Sequence, residues 1–163
     1  GLMDTADGVA AGEERRLAAM DDSRVGASGV LALAVVLLLE ISALLQLGPA
    51  APEALVLAGF WARVAPLWAM AQFDYIRTDG TAAFHRWHGR PAWDVLPILP
   101  GVVLLAVCGV PPLALLVGAP VAVLVAECLG RRLGGHTGDS YGASLVLSEA
   151  ITLLLLAGLL GTS

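Results

Sequence analysis

The sequence predicts an all-α, polytopic membrane helix bundle of about five transmembrane helices, on three observations. Of its 163 residues 58% are hydrophobic and only 14% charged, where a soluble domain carries about 25% charge. That leaves too little polar surface to cover a water-soluble globule. Several apolar stretches match or exceed the roughly 20 residues needed to cross a hydrocarbon core of about 30 Å. The few charges are also gathered rather than scattered: residues 1–27, 72–94 and 130–141 hold eight of the nine arginines, all three histidines and ten of the fourteen acids. The basic residues are all arginine and the formal net charge is −5. No basic surface fit for duplex nucleic acid is present, and nucleic acid is set aside as a partner.

The elements follow in order. Ser28–Leu47 is a first crossing, broken only by Glu40, and Gly48-Pro49 turns the chain. Pro52–Met70 is a second, with its proline where a first helical turn tolerates one and Arg63 near its middle. The stretch 95–129 would be about 52 Å long as a single helix, too long for one crossing. Gly109-Val110-Pro111-Pro112 at its centre therefore predicts a helical hairpin, its arms kinked or shortened by Pro97, Pro100 and Pro120. Gly142–Leu160 is the last span. The short connections near 48–52 and 110–112 carry no arginine, so five crossings put all three polar stretches on one face. The positive-inside bias makes that face cytoplasmic, with three cytoplasmic polar loops. Tyr75, Trp87 and Trp93 read as interfacial anchors. Cys108 and Cys128, inside apolar runs and without a CxxC, read as small buried hydrophobes. No fixed-period repeat divides the chain, which reads as one domain over 1–163. It opens at Gly1 with no signal-peptide pattern, and sequence upstream is expected.

Three polar constellations carry chemistry. In GLMDTADG, Asp4 and Asp7 are spaced i, i+3 and share one helix face. Paired carboxylates suit a hard divalent cation, and Gly8 would admit a bulky substrate; the same pattern also describes a solvated acidic end. In EERRLAAMDDSRVGASG, Asp22, Ser23 and Arg24 stand just before the first span among further acids and arginines. Carboxylates for Mg²⁺, an arginine fork for phosphate, and Gly26 and Gly29 for backbone access suit a metal-bound phosphate. An amphipathic surface helix with ordinary ion pairs is the plainer alternative. RRLGGHTGDSYGA (131–143) offers Arg131 and Arg132 for phosphate, Asp139 for metal and Thr137 for a hydrogen bond. It is neither a Walker A loop nor a dinucleotide fingerprint. His136 reads as a solvated loop residue, with a base as the sharper alternative. Glu40, Arg63, Glu127 and Glu149 fall within spans and should face the bundle interior or a wet cavity, because a charge at the bilayer centre costs roughly 2.5–3.5 kcal/mol or more. Arg63 and Glu149, the deeper ones, are functional candidates or halves of ion pairs. Arg77, beside Asp79-Gly80, is a ligand-contact candidate.

Taken together, GLMDTADG, RRLAAMDDSRVGASGV and RRLGGHTGDSYGASLVLSEA, in this order and each in its membrane context, resemble the adenosylcobinamide-GDP ribazoletransferase (cobalamin synthase) family. The resemblance runs over essentially the whole chain. It departs before Arg77, where Asp-Tyr-Ile-Arg stands in place of the family's usual Pro-Tyr-Ala-Arg. The resemblance implies an integral protein of the bacterial inner membrane with a cytoplasmic active face. The implied substrates are adenosylcobinamide-GDP and α-ribazole (or its 5′-phosphate), and Mg²⁺ is required. A ribose hydroxyl attacks the phosphate joined to adenosylcobinamide, and GMP leaves. It implies Asp4 and Asp7, then Asp22 and Asp139, for metal. Substrate falls to Ser23, Arg24, Arg63, Arg77, Arg131, Thr137 and Glu149, with no catalytic base assigned. The family also places an acidic residue and at least one helix before the position of Gly1. A CDP-alcohol-type phosphotransferase shares D-x-x-D-G but expects an Ala-Arg pair soon after and two later aspartates four apart, which VAAGEERRL does not begin to supply. A small transporter using Arg63 and Glu149 is the third reading, disfavoured by the concentration of polar residues outside the spans.

Overall fold

A computed structural model describes residues 1–77, 91–94 and 96–161. Among them the structure is helical, with one isolated β-bridge. Two short helices, α1 (Leu2–Ala10) and α2 (Arg16–Asp21), are joined through a 3-10 turn at Glu13–Arg15. The long α3 (Ala27–Leu47) follows, and a second 3-10 turn at Gly48–Ala50 leads into α4 (Ala51–Ala62) and α5 (Val64–Gln72). Then come α6 (Pro91–Asp94), α7 (Ile98–Val107), α8 (Pro112–Leu116), α9 (Gly118–Leu133) and α10 (Gly138–Leu160).

Three stretches among the described residues are long and apolar enough to cross a membrane: Ala27–Gln72, Pro112–Leu133 and Gly138–Leu160. The first, 46 residues long, folds back at Gly48–Ala50 into two arms, α3 and α4–α5. The hairpin expected over 95–129 differs. Its first arm, α7, has ten residues and spans about 15 Å, half a bilayer core. Prolines account for this and for two other breaks. Pro97 and Pro100 confine the start of α7. A proline inside a helix removes one hydrogen bond and its ring collides with the carbonyl four residues back. For Pro66 that carbonyl belongs to Ala62, the last residue of α4; for Pro120 it belongs to Leu116, the last of α8.

Helix α10 is the centre of the bundle, packing against α3, α4, α5 and α9. Its contacts use small and branched residues. Leu153, Leu156 and Ala157 meet Ala43 and Leu47 of α3, Ala54, Leu57 and Ala58 of α4, and Ala114 and Leu115 of α8. Small residues let helices approach closely where lipid offers no competing hydrophobic drive. Polar groups stitch the same end: Trp61 Nε1 donates to the Leu115 carbonyl at 2.6 Å, and Gln46 Nε2 to that of Ala157 at 3.3 Å. A second cluster, Ala65 and Ala69 of α5 with Ala122 and Ala126 of α9 and Tyr141 of α10, fills the other end.

Two local expectations are corrected. Arg63 does not face the bundle interior. It is exposed at the α4–α5 break, and its guanidinium donates to the Gly59 carbonyl of its own helix. Both cysteines are exposed rather than buried, Cys108 in the turn that ends α7 and Cys128 on α9. Tyr75 is half-buried and stacks on Tyr141, ring centroids 6.1 Å apart, while Trp93 is exposed. Trp87 lies outside the described residues.

Candidate functional site at the polar end of the bundle

The described parts of the three polar stretches meet at one end of the bundle. The segment after α5 pairs with the loop before α10: Ile76 N donates to the His136 carbonyl at 2.9 Å, and His136 N to that of Asp74 at 2.8 Å. Arg16, at the start of α2, donates from Nη1 to the Leu133 carbonyl at 3.1 Å, a cation placed on the negative C-terminal end of α9. Arg77 ties all three stretches together. Its Nη2 lies 2.8 Å from Asp21 Oδ1 on α2, and its Nη1 lies 3.2 Å from Asp139 Oδ2 in the first turn of α10. Arg77 and Asp139 are largely buried, at 22% and 28% side-chain exposure. Arg77 Nε is buried and has no hydrogen-bond acceptor among the described residues, and the same is true of Arg16 Nε.

Asp139 also faces α1. Asp4 Oδ2 and Asp139 Oδ1 lie 2.8 and 3.9 Å from the same Gly1 nitrogen, so these two carboxylates flank a common position. The other two metal candidates are turned elsewhere. Asp7 accepts from Gly26 N through Oδ2 and from Gly29 N through Oδ1, both at 2.8 Å. Its carboxylate thus sits on the N-terminus of α3, where the exposed N–H groups and the helix dipole favour a negative charge. The backbone access that Gly26 and Gly29 give is used by Asp7, and the group packed against Gly8 is Met20. Asp22 is engaged by the N, Nε and Nη2 of Arg24, and the Arg24 guanidinium hydrogen bond pulls its pKa down to about 2. Asp22, Ser23 and Arg24 are all exposed. Among the described residues no three His, Cys, Asp or Glu side chains form a ready-made metal cage.

The remaining substrate candidates separate as well. Arg131 binds back to Glu127 one turn earlier, at 3.0 and 3.1 Å, while Trp68 Nε1 donates to the other Glu127 oxygen. Thr137, expected to contact substrate, is fully buried and caps α10, its Oγ1 accepting from Ser140 N. Glu149 is half-buried, about 15 Å along α10 from Asp139. The structure does not bring it or Arg63 to the polar end. The residue that sequence reasoning missed is Asp21, next to the Asp22 it favoured.

His136 is the second correction here. It is fully buried, not solvated, with Nε2 3.1 Å from the Ala126 carbonyl and Nδ1 2.9 Å from Ser140 Oγ. A carbonyl can only accept, so Nε2 carries the proton and Nδ1 accepts from Ser140 in the neutral ring. Burial lowers the His136 pKa from its ordinary 6.5, so the folded chain takes up a proton less readily than the unfolded chain. Its stabilising contribution is therefore full above about pH 6.5 and is lost progressively as pH falls below that. Thermal melts of detergent-solubilised protein should show a midpoint that drops between pH 7.5 and 5.5. The drop should flatten in His136→Asn; an unchanged slope in that variant would refute the assignment.

With the geometry established, comparison with known proteins gives a consistent result. No solved structure matches the chain. The cobalamin-5-phosphate synthase family model matches residues 1–157. Curated relatives carry the name adenosylcobinamide-GDP ribazoletransferase. One from Prochlorococcus marinus is 58% identical over 98% of this chain and 67% of its own length. One from Thermosynechococcus vestitus is 40% identical over 94% of this chain and 63% of its own. One from Desulforamulus reducens is 40% identical over 96% and 66%. The chain spans about two thirds of the length of these relatives. On a family match reaching from the first residue into the last helix, the chain belongs to the cobalamin-5-phosphate synthase family.

Proposed function

We propose that the polar end joins adenosylcobinamide-GDP and α-ribazole, or its 5′-phosphate, with release of GMP. In this step the ribose hydroxyl forms a bond to the phosphate carried by adenosylcobinamide, the bond from that phosphate to GMP breaks, and the hydroxyl proton is lost. The observation that carries the reading is the meeting of Asp4, Asp139 and Arg77, from three separate polar stretches, at one end of an apolar bundle.

The residues fit the chemistry. Asp4 and Asp139 are hard oxygen donors flanking a common position and would hold Mg²⁺, with open positions left for phosphate oxygens. Bound there, the ion would neutralise charge on the pyrophosphate. Arg77 fixes Asp139 through one nitrogen and keeps an unsatisfied Nε–H, a donor suited to a phosphate oxygen. Asp7 sets the position of α1, and hence of Asp4, by anchoring it to α3. The low charge of the bundle suits an integral protein of the bacterial inner membrane, and the arginine bias of the polar stretches suits a cytoplasmic position for this end.

The test is GMP release from adenosylcobinamide-GDP plus α-ribazole by the full-length gene product in lipid nanodiscs, read by chromatography and mass spectrometry. GMP and the joined product should appear together, stop with EDTA and return with excess Mg²⁺. Folded protein that gives no GMP would sink the proposal; release undiminished by EDTA would remove the metal from it.

A further inference from the structure

Away from the polar site, α9 and α10 leave a wholly apolar groove of about 350 Å³ between them. Val121, Leu124, Val125 and Cys128 of α9 form one wall, and Leu147 and Ile151 of α10 the other. Both helices belong to stretches able to cross a membrane, and Leu124, Cys128 and Ile151 are exposed among the described residues, at the depth of lipid chains. Its stripe on α9 does not stop at Cys128. Four residues on, and seven beyond Val125, the same face carries Arg132, exposed at the polar end of the helix. Neighbouring Arg131 is held by Glu127, whereas Arg132 has no ion-pair partner among the described residues. An apolar slot leading to a free guanidinium matches one amphiphile: a long hydrocarbon chain ending in an anionic phosphate.

We propose that this groove is a binding site for an anionic phospholipid, its acyl chain along Val121–Cys128 and its headgroup phosphate on Arg132. Basic residues at the mouths of grooves between membrane helices recognise such headgroups, and the planar guanidinium fork suits phosphate oxygens. The site is separate from the Asp4–Asp139–Arg77 cluster and does not depend on the reaction proposed for it.

The test uses purified full-length protein mixed with dioleoylphosphatidylglycerol or dioleoylphosphatidylcholine and native mass spectrometry to count retained lipids. Wild type should retain the anionic lipid roughly five-fold more than the zwitterionic one, the factor equivalent to the ~1 kcal/mol of one basic residue near an anionic surface. Arg132→Gln should bring the ratio to about one, while Arg15→Gln, at an exposed arginine off the groove, leaves it unchanged. Val125→Phe, which fills the slot, should lower retention of both lipids. A wild-type ratio near one, or a preference that survives Arg132→Gln, would overturn the proposal. So would displacement of the lipid by millimolar pyrophosphate combined with normal retention in Val125→Phe, since Arg132 would then bind soluble phosphate and the groove nothing.

Discussion

Asp139→Asn and Arg77→Met should be the most damaging single substitutions at the polar end, lowering kcat/KM for GMP release about 10²–10³-fold and about 10²-fold. The first figure is the usual consequence of losing one charged group preorganised for a developing charge. The second is that of misplacing such a group by about an ångström. The two ion pairs of Arg77 are not equal. Asp139 and Arg77 are both mostly buried, whereas Asp21 is 65% exposed. A charged hydrogen bond out of water contributes about 1.5–3 kcal/mol, while an exposed pair contributes roughly 0–1. Asp21→Asn should therefore cost no more than about five-fold. Arg77→Lys keeps the charge but not the fork, so it should recover stability better than turnover. A double-mutant cycle on Arg77 and Asp139 reads the link directly. Fully additive losses would mean that Arg77 does not act through Asp139.

The choice between Asp21 and Asp22 marks the limit of what the sequence made legible here. The long membrane helices other than the first arm of the 95–129 hairpin, the two-arm fold at Gly48-Pro49 and the clustering of charge into polar stretches were readable, because apolar length and charge clustering are properties of whole segments. Which of two adjacent aspartates faces the site depends on where a six-residue helix stops. Asp21 is the last residue of α2; Asp22 is already extended and wraps around Arg24. No periodicity survives in so short an element. Arg63 failed for a related reason: a continuous span was assumed, and the break imposed by Pro66 turns the side chain outward. Thr137 was more legible than the expectation made of it. Thr137-Gly-Asp-Ser140 before an apolar run has the form of a helix start, and the reciprocal Thr137–Ser140 bonds are its cap. Arg77 was found only through its motif, since the bridge from residue 76 to 136 that delivers it is a contact sixty residues apart.

Asp7 had a signal of a different kind. The first helix turn of α3 offers no side-chain cap of its own, with glycine at the N-cap, and Gly26 and Gly29 are spaced to present two N–H groups to one acceptor. Asp7→Ala should destabilise the protein by about 2–3 kcal/mol, the combined scale of a lost N-cap and a lost charge at a helix N-terminus, and should do so in EDTA. A ligand whose only role is to hold Mg²⁺ would leave metal-free stability unchanged, so a metal-free melting temperature equal to wild type would refute the anchoring role. Gly26 provides the partner test. Its backbone, at φ −83° and ψ 165°, suits any residue, so strain is not at issue. An added Cβ would run into the Asp7 carboxylate, its nearest neighbours being Oδ1, Cγ and Oδ2. Gly26→Ala should cost about 1–3 kcal/mol by overpacking, more if the cap is expelled. In the Asp7→Ala background the obstacle is gone, and the same change should cost less than about 1 kcal/mol, the ordinary preference against alanine at an N-cap. Because the two positions act through one contact, the double variant should be little worse than Asp7→Ala alone. Equal costs of Gly26→Ala in both backgrounds would show that α1 is held to α3 by something other than this carboxylate.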